Sequence, residues 1–456
     1  MSKPLHIIIL AAGDGTRMKS RLPKVLHPVG GRAMLAHVYG TALQLSSKQI
    51  HVVFNPVSPA VRESLAGQNV IWVAQEERLG TGHAVQQAMP AIPDEARILV
   101  LYGDLPLLTA DLLESLISAP EADLKVLTMC LDDPAGYGRI TRDPDGNITG
   151  IVEHKDATQT ERAIDEVNTG IILADARCLK QWLAALKNEN SQGEYYLTDV
   201  FTIAHEQGAS IGSVEAKDPR ELQGANDRIQ LAELESFYRQ REAERLMLAG
   251  VHIADPKRIE LRGNIIAGSD ISIDINVVLE GEISLGDGVQ IGPGCVLRNC
   301  KLAAGTRVHA YSVMEGVQTH GACDIGPFAR VRPGTDLGEG SRVGNFVEVK
   351  NSSLGENSKA SHLSYLGDST IGRDVNIGAG TITCNYDGVN KHRTVIEDGV
   401  FIGSDTQLIA PVTIGKGADI GAGSTITKDA PEGKLTLSRS KQVTVPNWKR
   451  PKKDKS

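Results

Sequence analysis

Aromatic side chains are scarce: Phe, Trp and Tyr together make up 4% of the 456 residues, so no core here is built around large rings. Cysteine is sparse too. Cys130, Cys178, Cys295, Cys300, Cys323 and Cys384 form no CxxC pair and are too few for a disulfide scaffold, so they read as reduced thiols of a cytoplasmic protein. Positive charge is in deficit, with 48 Lys and Arg against 56 Asp and Glu, a net charge of −8 that argues against a nucleic-acid partner held by a basic field. No run of about 18 apolar residues occurs, so no membrane span is expected. The stretch Leu5 to Ala12 behind Lys3 has the outline of a leader peptide, but it is too short and flows directly into Gly13-Asp14-Gly15-Thr16-Arg17.

Glycine is abundant instead, with 47 residues, more than one in ten, which calls for a repetitive backbone. The length implies two or three domains. An apolar share of 41% with 23% charged residues suits packed cores in water and small-molecule work rather than disorder.

Up to about residue 217 short β-branched runs alternate with amphipathic stretches, and Ile7 to Leu10, His51 to Phe54, Ile98 to Tyr102, Lys125 to Cys130 and Gly170 to Leu173 are predicted strands. Such alternation predicts an α/β domain on a largely parallel sheet, with ligands at the carboxyl ends of its strands. The polar exits after Leu10 and Tyr102 are the first candidates. From Asp218, a capping residue before Pro219, the chain reads as a long charged helix whose thin apolar stripe, Ile229, Leu234, Tyr238 and Leu248, ends at Gly250.

Beyond Gly250 a period of six appears: Ile273, Leu279, Leu285, Ile291, Leu297; then Ile325, Val331, Leu337, Val343, Val349; then Ile396, Ile402, Leu408, Ile414, Ile420, Ile426. One aliphatic in six predicts a hexapeptide β-helix of on the order of ten coils, each of about 18 residues, with the aliphatics stacked in an inner column. Thr383 to Arg393 breaks the period, and loops expelled from a solenoid commonly carry function. The basic, proline-broken end from Trp448 to Ser456 reads as a solvated tail.

Two clusters carry chemistry. Leu10-Ala11-Ala12-Gly13-Asp14-Gly15-Thr16-Arg17 followed by Pro23-Lys24 is a strand opening into a glycine turn whose N–H groups can approach phosphate while Arg17 and Lys24 neutralise it. Asp104, in Tyr102-Gly103-Asp104, ends a predicted strand where a carboxylate can hold Mg²⁺, although a turn aspartate looks the same in sequence. In the repeats, Arg332 and Lys350 stand one coil apart and can clamp a phosphate, with His362 beside them.

The first cluster, with Gln75 to Ala84, Tyr137-Gly138-Arg139, Val152 to Lys155, Val167 to Gly170 and Gly224 to Arg228, resembles the signature of sugar nucleotidyltransferases. The second, with Asn376 to Gly388 and Phe401 to Asp405, resembles the acyltransferase half of bacterial bifunctional N-acetylglucosamine-1-phosphate uridyltransferase/glucosamine-1-phosphate N-acetyltransferase, and the match extends over essentially the whole chain.

That resemblance implies an N-terminal Rossmann-like uridyltransferase domain over 1–228, a linker helix over 229–249, and a C-terminal left-handed parallel β-helix acetyltransferase domain with its tail over 250–456. It implies acetylation of glucosamine 1-phosphate by acetyl-CoA, then uridylyl transfer from UTP to N-acetylglucosamine 1-phosphate, giving UDP-N-acetylglucosamine for peptidoglycan and lipopolysaccharide. A homotrimer binding acetyl-CoA between subunits follows from it.

Carried over residue by residue, it puts Mg²⁺, or Mn²⁺ in its place, on Asp104 and Asn226, with Arg17 and Lys24 as catalytic cations. Leu10, Ala11, Ala12, Gly13, Lys24, Gln75, Gly80, Thr81, Tyr102, Gly103, Asp104, Gly138, Glu153, Asn168 and Asn226 would line the first substrate site. Arg332 and Lys350 would bind the sugar phosphate of the second, and Tyr365 and Asn376 the sugar. His362 would be general base, a role suited to imidazole with its reference pKa of about 6.5. Ala379, Asn385, Tyr386, Ser404, Ala422 and Arg439 would hold acetyl-CoA. Asp14 departs from the family pattern, and its side chain is expected to face away from phosphate.

Three other readings stand beside this one. A monofunctional sugar-1-phosphate nucleotidyltransferase would use its β-helix only for trimerisation or regulation, which leaves the His362 cluster without a role. A zinc site of the carbonic-anhydrase kind has only His252, His309, His320, His362 and His392 to draw on, with no closely spaced triad. A trimeric scaffold leaves both phosphate-directed clusters unexplained.

Overall fold

The computed structural model describes residues 3–13, 15–451 and 453, so Asp14, and the expectation for its side chain, lies outside the described residues. The chain divides into two compact units, residues 1–238 and 239–456. No helix among the described residues is long and apolar enough to cross a membrane.

The first unit is wound around one sheet. Its strands are β1 (Leu5–Leu10), β2 (Gln49–Phe54), β3 (Ile71–Ala74), β4 (Arg97–Tyr102), β5 (Leu124–Cys130), the β6 (Arg139–Arg142) and β7 (Ile148–Val152) hairpin, β8 (Glu166–Asp175) and β9 (Ile211–Glu215). The main path runs β9-β5-β8-β4-β1-β2-β3. All five predicted strands are present, four extended by one or two residues and the last, β8, by six. Along this path the sheet is parallel except at β8, which runs antiparallel to both β4 and β5; the β6–β7 hairpin beside it is antiparallel as well. Central strands are apolar without alternation because both faces are covered: Ile8 and Leu10 pack on one side, Ile7 and Ile9 on the other. Helices α1 (Met34–Ala42) and α3 (Ala110–Ser118) cover the second side; α2 (Thr81–Ala88), α4 (Ala176–Ala184) and α5 (Asp199–Glu206) cover the first.

The long helix, α6, spans Arg228–Leu248. Asp218 does cap, accepting from Arg220 N–H at 3.0 Å, but what it caps is a separate 3₁₀ turn, Pro219–Leu222. The cap of α6 is Asp227, whose Oδ1 accepts from Ile229 and Gln230 N–H, both at 2.9 Å. Of the predicted stripe, Leu234 and Tyr238 are buried in the first unit with Val29, Met34, Leu107 and Ala225, whereas Ile229 and Leu248 are exposed. Ala243 and Leu246 belong to the core of the second unit.

The second unit is a parallel β-helix: one face is an 11-stranded sheet and the other two join in a 17-stranded sheet. Every aliphatic of the counted hexads is buried in one continuous column. Coils are locked by register, with Arg330 opposite Glu348 and Glu348 opposite Tyr365. Inward Ser and Thr hydroxyls close the corners onto carbonyls of the same or the next coil, as Ser358 Oγ does to Gly372 O at 2.6 Å.

Candidate functional sites

In the first unit the two polar strand exits are one place. Leu10 and Tyr102 are opposite each other in register, and Gly103 N–H donates to Leu10 O at 2.9 Å. A Cβ on Gly103 would lie 3.1 Å from that carbonyl, so the absent side chain permits the approach. Gly15, at φ 58, lies over Lys24, where its own Cβ would stand 2.5 Å from that of the lysine.

Lys24 Nζ is 2.5 Å from Asp104 Oδ2 and 2.7 Å from Asn226 Oδ1, joining residues up to 202 positions apart. Two hard oxygen donors therefore converge on one cation, which fits Mg²⁺ or Mn²⁺ completed by water and phosphate oxygens. Arg17, on the short 3₁₀ turn Thr16–Met18, is exposed and has no partner among the described residues.

Tyr102 links this cation centre to a cluster of polar residues in the same unit. Its ring packs over Gly170, at φ 81, where a Cβ would penetrate the ring. Burial, then the charge of Glu153, holds the Tyr102 phenol above its ordinary pKa. Glu153 Oε1 accepts from Thr198 Oγ1 at 3.0 Å and would lie 3.6 Å from a Cβ on Gly138. Burial pushes the Glu153 carboxyl up, against the Thr198 bond, and burial with Glu153 pushes Asp199 up to about 6. Asn168 N–H donates to Gly138 O at 2.9 Å, and its Oδ1 accepts from Gly170 N–H at 2.9 Å. Thr81 Oγ1 accepts from Leu197 N–H at 3.0 Å, and Gln75 donates to Gly80 O at 3.2 Å. Ala11 N–H bonds Val53 O, and Ala12 and Gly13 line a small cavity with Pro23 and Asn55. Apart from Arg17, the predicted residues are thus gathered by direct contacts around the carboxyl ends of β1, β3 and β4.

In the β-helix the predicted residues fall on two corner columns. On one, Arg332 N–H donates to Val349 O, and Lys350 follows one coil on. Arg332 Nη1 pairs with Glu348 Oε1 at 2.8 Å. The Lys391 ammonium lies against that of Lys350, and this contact, with Arg332 nearby, lowers the Lys350 pKa. The Tyr365 hydroxyl lies over Gly367, beside the Asn385 amide. Burial raises the Asp368 carboxyl, but bonds from Asn351 and Asn385 and the charges of Lys350 and Lys391 outweigh it and leave it below its ordinary value.

On the other column His362 Nδ1 is 2.9 Å from Asn345 Oδ1. Because an amide oxygen only accepts, Nδ1 carries the proton and Nε2 is left as the basic atom. The corner continues through Ala379, whose carbonyl accepts from Asp405 N–H at 2.7 Å, and Ser404, whose carbonyl accepts from Gly423 N–H at 2.8 Å, to Ala422. Arg439 lies beside Gly421 and Gly423. Asn376 is not with the Arg332 and Lys350 pair; it sits in the 11-stranded face opposite Lys359 and Phe401. Tyr386 is exposed in the expelled loop, its hydroxyl donating to Gly388 O at 2.5 Å.

Sequence reasoning missed Lys391, Asn345 and Thr198. Asn345 stands one coil before His362, so the repeat itself could have found it. Lys391 had only its place in the expelled loop, and Thr198 carries no local signal.

Residues 7–196 match the family model of MobA-like NTP transferase domains, and residues 393–428 that of bacterial transferase hexapeptides with six repeats. Two relatives are each 55% identical over 451 residues, 99% of this chain: the "Bifunctional protein GlmU" of Marinobacter nauticus, with 99% of its own length covered, and that of Alkalilimnicola ehrlichii, with 97%.

Proposed function

Because the chain belongs to the bifunctional GlmU family, we propose that its C-terminal site acetylates glucosamine 1-phosphate with acetyl-CoA and its N-terminal site then transfers UMP from UTP to the N-acetylglucosamine 1-phosphate formed. The products are UDP-N-acetylglucosamine and pyrophosphate. The observation that carries the uridylyl half is the convergence of Lys24, Asp104 and Asn226 beside the glycine turn.

In that half the sugar phosphate oxygen attacks the α-phosphorus of UTP and pyrophosphate leaves, so the protein's task is to bring two anions together. Asp104 and Asn226 are the residues to hold Mg²⁺ or Mn²⁺, which when bound offsets phosphate charge as a Lewis acid. Arg17 and Lys24 neutralise the phosphates, and the N–H groups of Ala12 and Gly13 receive them. Glu153, Asn168, Gly138 and Tyr102 hold the sugar, and Gln75, Gly80 and Thr81 the base side.

In the acetyl half Arg332, Lys350 and Lys391 bind the sugar phosphate, with Tyr365 on the sugar. The amine attacks the thioester carbonyl, the CoA thiolate leaves, and the amine proton goes to His362 Nε2. Asn345 fixes the neutral tautomer in which that nitrogen carries the lone pair. The column from Ala379 to Ala422, with Asn385, Tyr386 and Arg439, receives acetyl-CoA. The assembly is a homotrimer with this cofactor between subunits, supported by a ladder of exposed apolar side chains that starts beside His362.

The test supplies glucosamine 1-phosphate, acetyl-CoA, UTP and Mg²⁺ and omits each in turn. UDP-N-acetylglucosamine forms only in the complete mixture. Accumulation of UDP-glucosamine, or nucleotide sugar formed at full rate without acetyl-CoA, would refute the reading.

A further inference from the structure

Gln75 follows β3 at the carboxyl edge of the sheet, its N–H donating to Phe54 O at 2.9 Å. Its side-chain nitrogen lies 3.2 Å from Gly80 O and 3.1 Å from His83 Nδ1. A carbonyl only accepts, so the Gly80 contact identifies this atom as the NH₂ group rather than the oxygen. One hydrogen goes to Gly80 and the second to His83, whose Nδ1 must then be unprotonated. The imidazole proton is left on Nε2, which stands 3.1 Å from the amide nitrogen of the exposed Gln87, so this tautomer requires the Gln87 carboxamide to turn over and present its oxygen to Nε2.

Both amide hydrogens of Gln75 are thereby engaged, and the residue is only 3% exposed, so exchange with water does not release them. Its Oε1 has no partner among the described residues. Because the carboxamide is planar, with its nitrogen turned toward the first turn of α2, the oxygen is directed away from that turn.

The geometry points to His83 as a positioning residue that makes Gln75 an acceptor-only reader of the nucleotide base. The inference rests on the uridylyl-transfer reading above and deepens it. A base carrying an imino N–H between two carbonyls, as uracil and thymine do, satisfies Oε1. Cytosine presents a lone pair at the same ring position, so two acceptors face each other. A site built on a polar match of this kind rejects the mismatched base far more strongly than a shape difference does. His83 touches no substrate in this scheme; it acts through Gln75.

The experiment measures kcat and KM for UTP and CTP in the full chain and in His83→Ala and His83→Asn, with acetyl transfer and thermal melting followed in the same preparations. Alanine suits a helix and removes the acceptor; asparagine supplies Oδ1 in its place. In His83→Ala, KM for UTP rises about tenfold with kcat within about twofold, and the UTP to CTP ratio of kcat/KM falls by about tenfold, the loss of one neutral hydrogen bond. His83→Asn brings that ratio back to within about threefold of the parent. In the unmodified protein the ¹⁵N resonances of His83 report Nε2–H and a bare Nδ1, a readout that needs no variant. An unchanged UTP to CTP ratio in folded His83→Ala, a loss confined to kcat, or an Nδ1–H tautomer would overturn the inference while leaving uridylyl transfer intact. A parent chain that acetylates but transfers no uridylyl group overturns both this inference and the reading beneath it.

Discussion

Lys24 occupies the point on which the two candidate metal oxygens converge. A divalent ion bound to Asp104 and Asn226 has to displace the ammonium, so metal and lysine compete until phosphate arrives to draw the lysine away. Lys24→Met should therefore bind Mn²⁺ without nucleotide about tenfold more tightly, followed by electron paramagnetic resonance, while uridylyl transfer falls by about 100-fold or more. Unchanged or weaker Mn²⁺ binding would count against the shared site. A second residue-scale consequence concerns pH. His6 and His51, on β1 and β2, stack with ring centroids 5.4 Å apart, and His51 Nδ1 is buried without a partner. Burial, then His6, lowers the His51 pKa from 6.5 to about 4. The unfolded chain takes up this proton below about pH 6.5 and the folded chain resists it, so the contribution is full above pH 6.5 and is lost as pH falls toward 4. It amounts to about 3 kcal/mol. Urea unfolding of the first unit, read by the buried Trp182, should lose that much between pH 7 and 4, and His51→Leu should flatten the dependence.

Among the elements, the hexads were the most legible feature because a single inward aliphatic per six residues is both the sequence period and the packing rule. The same simplicity makes each layer accountable. Leu366 is fully buried between coils, so Leu366→Ala should cost about 2–5 kcal/mol and lower the melting of the β-helix and acetyl transfer with it. Calorimetry showing no loss would mean the column repacks. Less of the first unit could be read. Its strands were visible as apolar runs, but the reversal of β8 was not, since a strand buried on both faces has the same composition in either direction. The start of α6 was misplaced for a related reason: Asp218-Pro219 and Asp227 are both good caps, and only the 3₁₀ turn between them decides which one opens the long helix. The candidate sites were legible where chemistry is local, as at Gly13 to Lys24, or periodic, as at Arg332 and Lys350. Thr198 and Lys391 were invisible because their roles depend on which distant strand or loop the fold lays beside them.

At the scale of the whole molecule, Tyr311, Phe328, Phe346 and Leu363 form one ladder on a β-helix corner, between 48% and 61% exposed. The three rings stack with centroids 5.4 Å apart and planes 17° and 19° from parallel. All four have positive φ, from 47° to 58°, a conformation costing a bulky L-residue about 1–2 kcal/mol that glycine would avoid. Large apolar side chains held there at such cost, and left in water, are accounted for by a covering surface. The ladder is continuous with the proposed acetyl site, since Phe346 follows Asn345 and Leu363 follows His362. In the proposed ring of three, a second copy of the chain covers it and brings its own column toward acetyl-CoA. Phe328→Asp tests this without endangering the fold, because aspartate tolerates the left-handed conformation better than phenylalanine does. The variant should sediment as a monomer, lose acetyl transfer by about 100-fold or more through the missing shared surface, and keep uridylyl transfer within about twofold. A parent chain that sediments as a monomer with full acetyl transfer, or a variant that stays trimeric, would show that the ladder serves some other contact and that each β-helix binds its cofactor alone.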